Sequence, residues 1–257
     1  MDSSVIRWKN PENNKQNNHF LLPSTSIRAL LIGPSGCGKT SLLIKLLLEN
    51  NWLDYSSLHV FSKSSHQAEY KILKAGFEKG YSKSDIIDIF NDSGKMDIND
   101  FIKQLPSKGK SKITSVFYDD FDSIPDPSDI NCNMKSLFIF DDIMLEKRQS
   151  KVEDFYTRGR HNNCNSIYIS QNYYKLPRQT IRTNVNVLIL FHQSKKDLQH
   201  IYDDYISKDM SWEEFKEYTD SIFSEDFSFL VINKSFQIFD GKYIKNFNEI
   251  FIPKKYL

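Results

Sequence analysis

The sequence predicts an α/β protein with a mostly parallel central sheet flanked by helices, and three observations support this fold class. A glycine-rich segment at 33–40 lies between a short apolar run and a stretch of helical character. Helix-like stretches near 147–158 and 195–206 alternate with predicted strands, which is typical of βαβ units. Nearly continuous apolar runs, typical of strands buried on both faces of a parallel sheet, occur at 136–140, 166–170 and 186–191.

The glycine-rich segment at 33–40 reads GPSGCGKT, which is a complete G-x-x-x-x-G-K-T phosphate-binding loop. A strand predicted at 27–32 leads into it and a predicted helix follows it, which is the context that a working loop requires. Its glycines allow successive main-chain N–H groups to point at one anion above the start of the helix. The segment predicts a nucleoside triphosphate site formed by Gly33, Pro34, Ser35, Gly36, Cys37, Gly38, Lys39, Thr40 and Ser41.

Side chains of the loop and of a later strand end predict a magnesium site. Lys39 is expected to reach the β- and γ-phosphates, and the Thr40 hydroxyl is expected to bind Mg²⁺. Such a site also needs a carboxylate at the end of a neighbouring strand, and Asp141 and Asp142 directly follow the apolar run at 137–140. Asp141 is predicted to complete the magnesium shell and Asp142 to polarise the attacking water. Alternatively, this pair is a polar strand end that caps a helix.

A second acidic pair competes for the same role. Asp119 and Asp120 follow the run at 116–118, which is shorter and contains Tyr118. They also open an acidic stretch with prolines, which is typical of a loop. We therefore prefer the pair at 141–142.

Polar residues around the strand predicted at 166–170 are further candidates. Gln171 ends this strand, where it could sense the γ-phosphate or position water, or be a surface residue. Arg158 and Arg160 lie on the segment that leads into the strand, and they are candidates for an arginine finger that reaches a neighbouring subunit's nucleotide. We prefer Arg160 because it lies closer to the strand, and Arg182 is the reserve candidate. The alternative is a solvated basic helix end.

The chain of 257 residues fits one α/β domain with additions. We predict a polar N-terminal arm at 1–25, Asn-rich over 9–18, and a single domain at 26–257. Within this domain we predict a core at about 26–194, with an irregular insertion around 91–135, and a C-terminal addition at 195–257. We also predict a late hairpin with strands at 227–233 and 235–239 and a turn at Asn233 and Lys234.

Composition excludes several classes of protein. The net charge of +1 means that any nucleic-acid contact must come from local patches. The three cysteines are far apart and contain no C-x-x-C pair, which supports neither a zinc site nor a disulfide framework and fits a reducing interior. No apolar run approaches the roughly 18 residues of a membrane span, and the N-terminus lacks a secretory apolar region, so we expect no membrane partner and no secretion.

Taken together, the motifs resemble a known family. The segment FYTRGRHNN at 155–163 leads into IYISQNYYKLP at 167–177, and IRTN follows at 181–184. With the loop and the acidic pair, this order resembles the FtsK/HerA-type genome-packaging ATPases of poxviruses, giant viruses, virophages and Polinton-like elements. The resemblance extends from about residue 26 to residue 191. In one respect the chain departs from it: many relatives carry Glu where this chain has Asp142.

The resemblance implies a RecA-like P-loop ATPase that uses ATP and Mg²⁺. It implies a homo-oligomeric motor, expected to be a ring, that moves double-stranded DNA into a preformed capsid with a capsid or portal partner. The expected location is then the virion or the infected host cell. The flexible basic loop at 107–112 is a candidate for DNA phosphate contacts, or a solvated lysine-rich loop. Two other functions stay open: a nucleoside or polynucleotide kinase, and a nucleotide-switched assembly module with little turnover.

Overall fold

The computed structural model describes residues 18–24, 26–93, 97–143 and 149–257, and the main chain of 5–7. Residues 9–17 of the predicted Asn-rich arm, and the first two residues of the helix predicted at 147–158, lie outside the described residues.

The described strands form one ten-stranded sheet with the order β4-β3-β5-β6-β2-β7-β8-β9-β10-β1. The strands from β4 to β7 are parallel, and those from β8 to β1 add to the β7 edge in antiparallel pairs. This arrangement confirms the predicted fold class. The strands are β1 (Val5–Arg7), β2 (Arg28–Ile32), β3 (Ser57–Ser62), β4 (Thr114–Tyr118), β5 (Ser136–Asp141), β6 (Cys164–Ser170), β7 (Val187–Leu190), β8 (Leu230–Asn233), β9 (Tyr243–Lys245) and β10 (Glu249–Phe251).

Helices connect the strands, and polar residues set where several of them begin. Ser82 and Asp85 form a reciprocal capping box at the start of α3, and the Ser194 and Ser211 hydroxyls accept main-chain N–H groups at the starts of α6 and α7. The helices are α1 (Lys39–Leu48), α2 (Ala68–Glu78), α3 (Lys83–Asp92), α4 (Ile98–Gln104), α5 (Ser150–Thr157), α6 (Lys195–Ile201) and α7 (Trp212–Phe223). Within the described residues, no helix combines the length and apolar character needed to cross a lipid bilayer.

The apolar runs at the centre of the sheet are buried on both faces, as predicted. Leu30, Leu31 and Ile32 of β2 have no exposed surface, and neither do Leu43 and Leu47 of α1, which belong to the same core. Each such side chain contributes about 1.5–3 kcal/mol when it is fully removed from water. This packing fixes the positions of β2 and α1, the two elements that the loop at 33–38 connects.

The strand order brings distant segments to one edge of the sheet. β6 lies between β2 and β5, and all three strands point in the same direction. In the register, Ile32 is opposite Ser170, and Asp141 is opposite Ile169. The residues that follow these three strands therefore meet at the carboxyl edge of the sheet.

The segment at 91–135 is more regular than predicted. It contains α4 and also β4, which pairs with β3 as an outer parallel strand. The side chains of β4 are half-buried or exposed rather than fully buried. An edge strand lacks the continuous apolar run that identified the central strands, and here Lys, Ser and Gly residues precede it and two aspartates follow it.

The predicted hairpin strand at 235–239 is wrong. β8 pairs with β9, and the chain between them forms turns and a short 3-10 helix at Ile238–Asp240. The hairpin at the C-terminal end of the chain joins β9 and β10 instead. Tyr243 and Ile244 of β9 are fully buried in the sheet, which favours their pairing over that of the more polar segment before them.

Gly76 is inside α2, where glycine is normally unfavourable. A Cβ atom at this position would lie 2.6 Å from Cγ1 of Ile86 in α3. The glycine therefore serves close packing of two helices. Gly80 follows the end of α2 and has a φ of 83°, which favours glycine.

Part of the predicted N-terminal arm packs against the domain. Leu21 and Leu22 are buried, and the Asn233 side chain donates a hydrogen bond to the Leu21 carbonyl at 3.1 Å. The His19 ring stacks on Trp52 with ring centroids 3.9 Å apart, and burial lowers the pKa of His19 to about 4. β1 pairs with β10 at the edge of the sheet. The described residues before position 26 are thus part of the folded unit.

Candidate nucleotide-binding site

The loop at 33–40 connects β2 to α1 and has the main-chain geometry of an anion site. Gly36 and Gly38 have φ of 76° and 98°, a left-handed conformation that side-chain-bearing residues rarely adopt. A Cβ atom at Gly36 would meet no atom within 4 Å, so space is open beside the loop. Gly38 is the N-cap of α1 and makes no side-chain cap bond, which leaves first-turn N–H groups for an anion.

Lys39 lies over its own loop. Its Nζ donates hydrogen bonds to the main-chain oxygens of Gly33 at 2.7 Å and Pro34 at 2.6 Å. These bonds hold the positive charge beside the glycine cradle. The arrangement suits a residue that binds the distal phosphates of a triphosphate.

Asp141 is buried at the end of β5, with 8% of its surface exposed. Its Oδ2 accepts hydrogen bonds from the Tyr70 hydroxyl at 2.6 Å and the Ser62 hydroxyl at 3.1 Å. Burial raises the pKa of this carboxyl, although the two hydrogen bonds act in the opposite direction. Because Ser62 is also opposite Asp141 in the sheet register, the carboxylate has a fixed orientation.

Asp142 follows Asp141 in a different environment. It is exposed, and its φ of 56° is left-handed, a conformation that Asp tolerates better than most residues but at a cost of roughly 1–3 kcal/mol. Such strain often occurs at functional sites. The turn at Asp142 leaves one carboxylate of the pair buried and the other accessible.

A cavity of about 360 Å³ joins these elements at the carboxyl edge of the sheet. The predicted residues that line it are Ser35, Gly36, Gly38, Lys39, Thr40, Ser41, Asp141, Asp142 and Gln171. Gln171 is exposed directly after β6, between the loop and the acidic pair. The structure thus brings together the phosphate loop, both carboxylates and the glutamine.

The residues fit a magnesium ion that is held together with phosphates. Thr40 and Asp141 supply hydroxyl and carboxylate oxygens, the donor types that Mg²⁺ prefers. Among the described residues, no cluster of three or more His, Cys, Asp or Glu side chains could hold a metal. Mg²⁺ is commonly bound by one or two carboxylates plus substrate phosphates, and the donor types present here fit that pattern.

Arg158 and Arg160 lie at the opposite edge of the sheet, before β6 begins. The seven residues of β6 separate them from Gln171, a distance of roughly 20 Å along the strand. Arg158 is exposed and pairs with Asp154 at 2.8 Å, and Arg160 is exposed and contacts the His161 ring at 3.5 Å. Neither arginine is placed to reach the phosphate site of its own chain.

Arg182, the reserve finger candidate, is buried. Its guanidinium pairs with Asp204 at 3.1 Å and lies over the Tyr173 ring, 5.0 Å from the centroid. The Tyr173 hydroxyl donates to the same carboxylate at 2.7 Å. These contacts give Arg182 a structural role within its own chain.

Several residues that line the cavity were not predicted from the sequence. Ser64, Gln67 and Glu69 come from the turn and first residues of α2, and Phe227 comes from the loop between α7 and β8. No local motif identifies them, since they reach the cavity only through the packing of α2 and β8. The rival carboxylates Asp119 and Asp120 follow β4, which is separated from β5 by β3, and they do not line this cavity.

No protein-family model and no curated protein matches the sequence. Similar solved structures include the genome packaging NTPase B204 from Sulfolobus turreted icosahedral virus 2 in complex with AMPPCP, at 15% identity and a TM-score of 0.48, with 83% of this chain and 95% of that chain covered. VirB4 of Thermoanaerobacter pseudethanolicus is similar at 10% identity and a TM-score of 0.47, with 94% and 91% covered. The pCW3 conjugation coupling protein TcpA is similar at 12% identity and a TM-score of 0.43, with 94% and 64% covered.

Proposed function

We propose that this chain is an ATP-hydrolysing motor that moves double-stranded DNA, and that it packages a viral genome into a capsid as a homo-oligomer. One observation carries the ATPase part of this proposal: the phosphate loop, the acidic pair and Gln171 converge on one cavity. The DNA-packaging part is supported by the sequence resemblance between residues 26 and 191.

The residues of the cavity have distinct roles in this proposal. Main-chain N–H groups of the loop and Lys39 bind the phosphates, and Thr40 and Asp141 hold Mg²⁺. The bound ion supplies charge neutralisation for the phosphates. Asp142 orients the attacking water and accepts its proton, and Gln171 holds that water beside the terminal phosphate.

A kinase is less well supported. It would require mobile arginines that close over the phosphates, but Arg182 is buried and paired with Asp204. Arg178 is exposed and also pairs with Asp204, at 3.4 Å. The acidic pair with Gln171 suits transfer to water better than transfer to a second substrate.

The basic loop at 107–112 is our candidate for DNA contacts. Lys110 and Lys112 are exposed, whereas Lys108 pairs with Asp85 at 2.9 Å. The loop precedes β4, so it lies at the edge of the sheet opposite the nucleotide cavity. Contacts from lysines to phosphates are independent of sequence, as a packaging motor requires.

The function is tested by the rate of ATP hydrolysis with and without double-stranded DNA. We expect phosphate release from ATP without any acceptor, and a several-fold higher rate with DNA that falls as the salt concentration rises. A requirement for a nucleoside or polynucleotide acceptor would identify a kinase instead. Slow turnover that no DNA changes would identify an assembly module.

The trans role of Arg160 is tested by mixing variants. Arg160→Ala subunits and Asp142→Asn subunits should each be inactive, and mixed oligomers should regain part of the activity, because an intact Arg160 then faces a site with an intact Asp142. Oligomer formation is checked by mass measurement with a nonhydrolysable analogue. The same mixture with Arg158→Ala tests the other arginine. Mixed oligomers without any recovery for Arg160→Ala would show that this residue does not act across the boundary.

A further inference from the structure

Phe227 is an exposed aromatic side chain at the nucleotide cavity. It lines the cavity, and 70% of its surface is exposed. Its φ of 60° is left-handed, which is unusual for a bulky residue. Exposure and backbone strain both oppose stability, so their combination beside the phosphate loop points to a ligand contact.

The ring lies against the last glycine of the loop. A Cβ atom at Gly38 would be 3.3 Å from Cδ1 of Phe227 and 3.7 Å from Cε1 of Phe191. Phe191 is buried, with 2% of its surface exposed, and its ring also lies near Gly38. A side chain at position 38 would crowd this ring and would also be strained by the φ of 98°.

Hydrogen bonds from Asn246 and packing of the Phe229 ring hold the segment that carries Phe227. The Asn246 side chain accepts the Phe229 main-chain N–H at 2.8 Å, and it donates to the Ser228 hydroxyl at 3.0 Å. The Phe229 ring packs against Phe191 and Phe247. The position of Phe227 is therefore set by the antiparallel part of the sheet.

The sheet order places residues of the cavity on opposite sides of β2. Asp141, Asp142 and Gln171 follow β5 and β6, on one side of β2, and these residues face the terminal phosphate in the proposed function. Phe191 and Phe227 belong to β7 and β8 and their connections, on the other side of β2. A triphosphate that spans the loop would thus direct its nucleoside towards Phe227.

We propose that Phe227 stacks on the base of the bound nucleotide and supplies most of the base affinity of this site. The inference rests on the proposed function and identifies the residue that binds the nucleoside. An aromatic ring offers a flat apolar face to any base, and purines have the larger stacking area. Stacking of this kind adds affinity, whereas the loop and Mg²⁺ bind the phosphates.

The test compares Mg·ATP with inorganic tripolyphosphate plus Mg²⁺ by calorimetric titration. Phe227→Ala should weaken ATP binding roughly tenfold, as expected for loss of one base–aromatic stack, and leave tripolyphosphate binding unchanged. Phe227→Trp should retain ATP affinity. The matched control is Phe239→Ala, because Phe239 is 58% exposed but does not line the cavity.

Each other outcome identifies what has failed. Equal losses for both ligands, or no loss for either, would overturn the stacking role, since Phe227 would then support the loop or do nothing. Tripolyphosphate binding by Phe227→Ala also shows that the variant has a folded loop. Wild-type protein that binds neither ligand would overturn the nucleotide site itself, and the stacking role with it.

Discussion

Lys39→Ala should reduce ATP hydrolysis by about 10²- to 10³-fold, the scale seen when one preorganised donor to a transition state is removed. Lys39 is the cation that the structure holds over the loop, through the Gly33 and Pro34 carbonyls. Alanine leaves the developing charge on the transferred phosphoryl group without this partner. The measurement is phosphate release at saturating ATP and Mg²⁺.

Lys45→Ala is the matched control for this prediction. Lys45 lies on the same helix, its side chain is 56% exposed, and it pairs with Glu49 at 3.9 Å. It does not line the nucleotide cavity, so its removal should leave the hydrolysis rate within about twofold of the wild type. Hydrolysis by Lys39→Ala at the wild-type rate would show that the loop at 33–40 is not the phosphate site.

Asp142→Asn is expected to lower kcat by about 10²- to 10⁴-fold, the usual contribution of a positioned general base. Asparagine has nearly the same shape, but its amide cannot accept the proton of the attacking water. ATP binding should be retained, because Lys39, Thr40 and Asp141 are unchanged. Single-turnover hydrolysis and equilibrium binding of ATP separate the two effects.

Two further carboxylates serve as comparisons. Asp120→Asn, in the rival pair after β4, should leave kcat unchanged because Asp120 does not line the cavity. Glu69 does line the cavity and is half-buried on α2. If Glu69→Gln lost hydrolysis while Asp142→Asn kept it, Asp142 would not be the base. The shorter arm of Asp142, where many members of the resembled family have Glu, makes this comparison informative.

The motifs at 33–40, 141–142 and 171 could be located from the sequence because each depends on local chemistry. Glycine at positions 36 and 38 reflects φ values of 76° and 98°, which few other residues tolerate. The central strands were visible because burial on both faces requires continuous apolar runs. The edge strand β4 and the short strand β9 lacked that signal, and both were missed or misplaced.

The environment of Asp141 could not be predicted. Its hydrogen-bond partners Ser62 and Tyr70 are 79 and 71 residues away in the chain. Neither belongs to a motif, and a single Tyr on the buried face of a helix has no distinctive pattern. Phe227 is a similar case, because a Phe in a loop carries no sign that it will face a phosphate-binding glycine.

The sequence thus determined the features that depend on a few consecutive residues. These are the backbone positions that need glycine, the strands that are buried, and the strand ends that carry carboxylates or an amide. The order of the strands in the sheet was decided only by the tertiary structure, because it results from pairing among segments that are far apart in the sequence. The placement of β6 between β2 and β5 brought Gln171 between the loop and Asp141, and the direction of β6 put Arg158 and Arg160 at the other edge. The carboxyl ends of parallel strands lie at one edge of the sheet. The residue before a strand and the residue after it are therefore separated by the full length of that strand.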